Sequence, residues 1–427
     1  MRKTRIATAL AFAAAATAVA VSVAPAEGAA SKKCSFTLRI GDVLPFTGDL
    51  AAYGANLDRA VKLAVGLQNA ALKKDKLSKS IKVQLVASED GQTQATASVE
   101  AATKLVKSDH ANVVIGEMAS SATIPMAQSV TIPNHVVQIS PTSSAPQITD
   151  IKDNGYLWRT YPSDTLQGKV LAQAAIDAFG KGAKLNVGAR NDAFGTALKQ
   201  LFVSEYERLG GKVGVNISWN PDQANFDSEA QQLVSGGPAG WVIIDFPDTF
   251  QKFAPSLVRS GKWDASKTLM TEALRNATVL DGIGNPVVGL RGTAASAQGG
   301  PAGAAFANLW KRTVTGAKPY TGFEGTAFDA ANVAFFAALK ACSASPAKIK
   351  ANLVSVSGPP GRKFTFLQLA GAIKQVRAGK DVDYEGAFSP VDFDANGDIG
   401  SAVFEIWKYD GSGKIETLKT VTFRPGT

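Results

Sequence analysis

Short, continuous apolar runs alternate along most of this chain with longer stretches in which apolar positions recur every three to four residues. The first kind predicts strands buried on both faces and the second predicts helices packed on them. Strands are expected at Thr37 to Gly41, Ile81 to Ala87, Val113 to Ile115 and Val136 to Ile139, with helices at Gly54 to Asn69 and Ala95 to Ser108 and a short one after Ser120. Tyr156 to Thr160 reads as a strand that crosses to a second domain. There the alternation restarts, with helices at Leu166 to Phe179, Gly195 to Leu209, Phe226 to Val234 and Thr249 to Ser260. The strands between them are Leu185 to Ala189, Lys212 to Ile217, Gly240 to Asp245 and Thr268 to Thr271. Gly289 to Ser296 reads as the return crossing, followed by helices at Pro301 to Val314, Glu324 to Ala341 and Phe366 to Ala378. A hairpin at Ala387 to Phe393, a tight turn at Asp394 to Asp398 and strands to Phe423 end the pattern. Repeated β-α-β units predict α/β architecture with parallel sheets covered on both faces, and two copies predict a cleft between them.

Within this rhythm the stretch from Asn112 to Ser144 concentrates the chemistry. Each of its two strands ends in a hydroxyl-rich turn, the first carrying Ser120, Ser121 and Thr123 and the second running from Pro141 through Thr142, Ser143 and Ser144. Both turns open at the carboxyl edge of the sheet, where hydroxyls and backbone N–H groups can converge on one small anion. Singly, such residues are ordinary helix caps. As a pair of clusters on adjacent strand ends they read as a carboxylate cradle.

At 427 residues the chain exceeds one ordinary core, in keeping with two domains. Met1 to Arg5 is basic and Ile6 to Val23 is an Ala/Val-rich apolar run followed by small residues, the pattern of a signal peptide cleaved near Ala26 or Ala30. Ser31-Lys32-Lys33 before Cys34 is not a lipid-attachment box, so a periplasmic protein is expected. The two cysteines, Cys34 and Cys342, are placed by the pattern at the amino edge of one sheet, and export makes their pairing an expectation. The net charge of +9 includes three positive charges at the N-terminus, and the lysines from Lys73 to Lys82 lack interleaved aromatics, so nucleic acid is not an expected partner.

Catalytic and metal chemistry find little support. His110 and His135 are the only histidines, without carboxylates or cysteines at metal-ligand spacing, and neither a nucleophile elbow nor a phosphate loop occurs. Asp392 to Ile399 matches the start of a calcium loop, but Val403 stands where its bidentate Glu belongs. No enzyme, metal or cofactor is expected. Tyr53, Phe194, Phe246 and Phe323 sit at strand ends or helix starts, as core packing or as pocket walls. Asp164 and Glu272 hold similar places in the second domain, as helix-start acids or as ligand groups.

Taken in order, RIGDVLPFTGDLAAYG, VIGEMASSAT, ISPTSS, RTYPSDTLQG, NDAFG and VDFDANGD resemble the branched-chain amino acid (Leu/Ile/Val) binding proteins, type I periplasmic solute-binding proteins that feed ABC importers. The resemblance implies two doubly wound, Rossmann-like lobes joined by a multi-strand hinge. It divides the chain into a signal peptide (1–30), lobe I (31–160 and 293–386), lobe II (161–292) and a hinge return with the last lobe II strands (387–427). It implies carboxylate binding at Ser120, Thr142, Ser143 and Ser144, ammonium binding at Glu272 and Asp164, and pocket walls at Tyr53, Phe194, Phe323 and Phe246. A monomer that closes on an amino acid and delivers it to a permease is the implied function. The same fold binding an aromatic or aliphatic carboxylic acid, amide or urea-like compound, or serving as a sensor for a signalling receptor, is the alternative. Ala119 stands where the family often has a cysteine, and several positions that are often Tyr are Phe, so side-chain specificity is not inherited.

Overall fold

The structure is a computed structural model that describes residues 34–297 and 302–423. The expected signal peptide lies outside the described residues. A first sheet takes β1 (Phe36–Leu44), β2 (Ile81–Asp90), β3 (Val113–Gly116), β4 (Val137–Ser140) and β5 (Leu157–Arg159) in the order β2-β1-β3-β4-β5, all parallel. Every residue of β3 and β4 is buried, which is why their sequences run apolar without alternation.

A second sheet begins with β6 (Lys184–Arg190), β7 (Lys212–Trp219), β8 (Gly240–Ile244), β9 (Thr268–Met270) and β10 (Arg291–Ala295). A two-stranded ribbon, β11 (Arg362–Phe364) with β12 (Val382–Tyr384), follows. β13 (Ala402–Tyr409) and β14 (Ile415–Phe423) then return antiparallel to the second sheet, giving the order β14-β13-β10-β9-β8-β6-β7. The result is two α/β lobes joined by connecting strands.

Both sheets share one winding. In the first the chain steps outward from β1 to β2 and then reverses to β3, and in the second it steps from β6 to β7 and reverses to β8. At each reversal two loops diverge at the carboxyl ends of neighbouring strands and leave a crevice, the usual place for a ligand in a doubly wound sheet. The first lobe's loops there carry Asp49, Leu50, Met118 and Ser120, and the second lobe's carry Arg190, Phe194 and Phe246. Helix starts hold the second set in place: Asp192 caps the helix Ala193–Arg208 by accepting from Gly195 N at 2.8 Å. Ser163 accepts from Thr165 N at the start of Asp164–Phe179.

The helix Phe323–Ala341, nearly all of it buried, covers the first sheet and ends at Cys342 in a left-handed conformation. The Cys342 sulfur is bonded to that of Cys34, tying this helix end to the start of β1.

One expected segment is also a sheet strand, and a second differs. Gly289 to Ser296, read as a crossing, contains β10, which is paired on both sides within the second sheet. Its small residues are required by packing, for a Cβ on Gly292 would meet Trp407 at 2.5 Å and the Met270 carbonyl at 2.7 Å. The hairpin expected at Ala387 to Phe393 is reduced to single bridges, Glu385 with Pro390 and Phe393 with Ile399. The N–H groups of Ala387 and Phe388 donate instead to the Asp329 carboxylate, at 2.8 and 2.9 Å. At the Asp394 to Asp398 turn, Asp398 is engaged by the buried Arg159 at 2.6 Å and by Thr149 at 2.6 Å, so its carboxylate pins the turn to β5 rather than pointing into an empty loop.

Candidate functional site

The two crevices meet in one narrow cavity, lined by Leu50, Met118, Ser120, Thr142, Ser144 and Phe323 from one side and Phe194, Phe246, Glu272 and Ala273 from the other. Of the site residues expected from sequence, Ser120, Thr142, Ser144, Phe194, Phe246, Glu272 and Phe323 line this space. Tyr53, Asp164, Ser121 and Ser143 stand behind or beside it. Leu50, Met118 and Ala273 were missed. Each is an ordinary apolar residue next to a polar turn, and only the apposition of the lobes makes it a wall.

On the first lobe the hydroxyls hold one another. Ser120 Oγ accepts from Ala145 N at 3.1 Å, which leaves its own proton free to donate. Thr142 Oγ1 donates to the Met118 carbonyl at 2.9 Å. Ser143 is turned away from the cavity: its hydroxyl lies 2.7 Å from Thr123 Oγ1 and 3.1 Å from the Met118 carbonyl, so it stitches the two turns together. Ser121 is half-buried on the short helix Ser120–Met126, outside the lining.

On the second lobe the polar groups are acids. Asp164, at the start of its helix, is fully buried and neither carboxylate oxygen has a completed hydrogen bond, although the Ser144 hydroxyl lies near enough to favour its charged form. Glu272 Oε2 accepts from Gln167 Nε2. Burial pushes both carboxyls above their usual range, and for Asp164 the charge of Glu272 adds to the shift. Two crowded acids in a dry cleft are stabilised by a cation placed between them and the cavity.

The remaining walls are aromatic. Phe194 and Phe246 stack with centroids 5.2 Å apart, and Phe323 meets Tyr53 edge-on at 5.2 Å. Tyr53 is therefore a second layer behind Phe323, and its hydroxyl donates across the cleft to the Ala273 carbonyl at 2.7 Å. No group of three or more potential metal ligands occurs among the described residues. No helix among them is long and apolar enough to cross a membrane.

Comparisons with known proteins bear on the fold and the family. A chemotactic signal transduction substrate-binding protein, BasB of Halobacterium salinarum, is 24% identical over 364 residues, covering 83% of each chain. Curated Leu/Ile/Val-binding relatives align over only about half of their length, 51% for the Brucella melitensis homolog, which is 28% identical. Among solved structures, the branched-chain amino acid substrate-binding protein LivJ of Streptococcus pneumoniae, in complex with isoleucine, superposes with a TM-score of 0.72 at 18% identity, covering 91% of this chain and all 100% of that one. A solute-binding protein of R. palustris in complex with benzoate gives 0.70 at 17% identity, covering 92% and 98%. These structural likenesses show the fold. Residues 37–402 match the periplasmic binding protein family, and this chain belongs to that family of non-catalytic, extracytoplasmic solute-binding proteins.

Proposed function

We propose that the protein captures a small amino acid with an aliphatic side chain by closing its lobes, and delivers it to an ABC permease. The observation that carries this reading is the buried pair of neighbouring acids, Glu272 on the wall of an aromatic cavity and Asp164 behind it with no completed hydrogen bond, in the same cavity as the Ser120 hydroxyl with its free proton. The ligand carboxylate docks on the hydroxyl side through charge-assisted hydrogen bonds, each worth roughly 1.5–3 kcal/mol. Its ammonium neutralises the acids as the second lobe arrives. A ligand with both charges thus favours the closed state over the open one, and that differential affinity drives closure. Micromolar affinity needs only about 8 kcal/mol net, which a few such bonds and aromatic burial supply after ordering costs.

A second reading is favoured by the walls. Phe194, Phe246 and Phe323 suit an aromatic carboxylate such as the benzoate of the R. palustris relative, with the acids then held neutral by their raised pKa. The test is a thermal-shift screen of the exported chain against common amino acids, each paired with its deaminated acid, and against benzoate. A ligand at a hundred times its Kd adds about 2.7 kcal/mol to stability. A rise confined to free amino acids is the expected result. Equal rises with acids that lack an amine overturn the ammonium clamp and leave the aromatic or aliphatic acid as cargo.

A further inference from the structure

The loop after β1 reaches out of its own lobe. Asp49 Oδ2 accepts from Arg190 Nη2 at 2.8 Å and from Thr249 Oγ1 at 3.3 Å, and the Asp49 carbonyl lies 3.4 Å from Asp248 N at the start of the helix Pro247–Arg259. All three partners belong to the second lobe. Asp49 is absent from the cavity lining, whereas its neighbour Leu50 is part of it.

Arg190 ends β6, and its side chain is 4% exposed. Within its own lobe the guanidinium has Asp192 on Nε at 2.6 Å, with Thr249 at 3.4 Å and Asp245 at 3.6 Å on Nη1. Nη2 is the edge that meets Asp49. On its face the guanidinium carbon lies 3.8 Å from the Phe246 ring centroid, a cation–π contact. Phe246 in turn stacks on Phe194, and both rings wall the cavity. One side of Phe246 therefore faces the cargo space and Arg190 holds the ring from elsewhere.

The two states of the cleft treat this edge differently. With the lobes apart, water hydrates both Nη2 and the Asp49 carboxylate. With the lobes shut, Nη2 is buried, and a buried guanidinium edge without an acceptor costs far more than a formed pair returns. Asp49 removes that penalty only in the shut state. We infer that Asp49 and Arg190 are the latch that sets how long the cleft stays closed, so that Asp49 determines affinity without touching the ligand. The inference rests on the reading of lobe closure as the binding event. It does not depend on which solute is bound.

The test uses the full exported chain with Asp49→Ala and the shape-preserving Asp49→Asn, and L-leucine as probe. Dissociation followed by stopped flow is expected to be about tenfold faster in Asp49→Ala and intermediate in Asp49→Asn, with association within twofold of the parent and an unchanged melting temperature without ligand. Asp49 sits on a loop, so a merely structural role would lower that melting temperature instead. An unchanged dissociation rate, or a loss confined to association, overturns the latch. If L-leucine does not bind the parent protein, the amino acid reading fails separately. The latch is then read by the same dissociation measurement with whichever of 4-methylpentanoate and benzoate raises the melting temperature of the parent protein, and an unchanged rate in Asp49→Ala overturns it.

Discussion

The two faces of the cleft solve opposite problems. On the first lobe the hydroxyls are held in place before any ligand arrives: Thr142 and Ser143 donate to the Met118 carbonyl, and Ser120 accepts from Ala145 N and keeps its own proton to donate. That face is preorganised, and its shape costs nothing further when a carboxylate binds. On the second lobe Asp164 has no completed hydrogen bond and lies beside Glu272, with burial working against the charge of both. That face is under strain until a positive group relieves it. The contrast assigns separate jobs, docking to the hydroxyl face and commitment to the acid face, because only the second gains from the shut state.

The strongest way to break this division is Glu272→Gln. It keeps the contact with Gln167 within reach while removing the charge that an ammonium would meet. Losing one partner of a buried charge pair costs roughly 2–5 kcal/mol, so L-leucine is expected to bind about 100-fold more weakly, equivalent to about 2.7 kcal/mol. Its deaminated counterpart, 4-methylpentanoate, is expected to lose little. Isothermal titration of both ligands decides the matter, and equal losses would remove the ammonium role from the acid face.

Ser120→Ala sharpens the same comparison from the other side. It deletes one charge-assisted donor and the acceptor of Ala145 N, so about tenfold weaker binding is expected for L-leucine and 4-methylpentanoate alike. A loss confined to the amino acid would place the carboxylate somewhere other than on this face. Thr142 and Ser143 are poorer choices for this experiment, since their hydroxyls already support the turn.

The parts of this molecule that were legible in the sequence are those that follow from local pattern. The runs at Val113 to Ile115 and Gly240 to Asp245 are apolar without a break because β3 and β8 are buried on both faces. The hydroxyl turns were legible because strand ends in a parallel sheet are fixed by the same rhythm. What escaped depended on partners distant in the chain. The return crossing at Gly289 to Ser296 is not recognisable as a sheet strand until Trp407 is seen to lie across Gly292. Ala387 and Phe388 resemble hairpin strand until Asp329, on another element, takes their N–H groups. Ser143 cannot be told from Ser144 by sequence, because which hydroxyl turns inward depends on the carbonyl of Met118 beneath it. Asp49 reads as an ordinary loop acid in the sequence, since its partner Arg190 is separated from it by a whole lobe boundary.

The smallest expected effect is also the most discriminating, because among the described residues the only carboxyl group lining the cavity, Glu272, belongs to the acid face. Serine and threonine hydroxyls do not ionise near neutrality, whereas burial pushes the Asp164 carboxyl well above its ordinary range and the Glu272 carboxyl up to about 7. The unfolded chain releases these two protons near pH 4, the ordinary range for carboxyl groups. The closed, ligand-free protein holds them to higher pH. Between those limits the folded state binds more protons, so the pair's contribution to stability falls as pH rises from about 4 toward neutrality. Buried Glu117 and Asp245, both pushed up to about 8, act in the same direction, so a melting curve alone does not isolate the pair. Binding does isolate it. An ammonium stabilises the charged acids, so affinity for L-leucine is expected to rise about fivefold between pH 5.5 and pH 8, with protons released on binding. For 4-methylpentanoate, whose site needs the acids neutral, affinity is expected to fall over the same interval. Titrations in two buffers of different ionisation enthalpy count the protons directly, and parallel pH profiles for the two ligands would mean that the acid face does not read the amine.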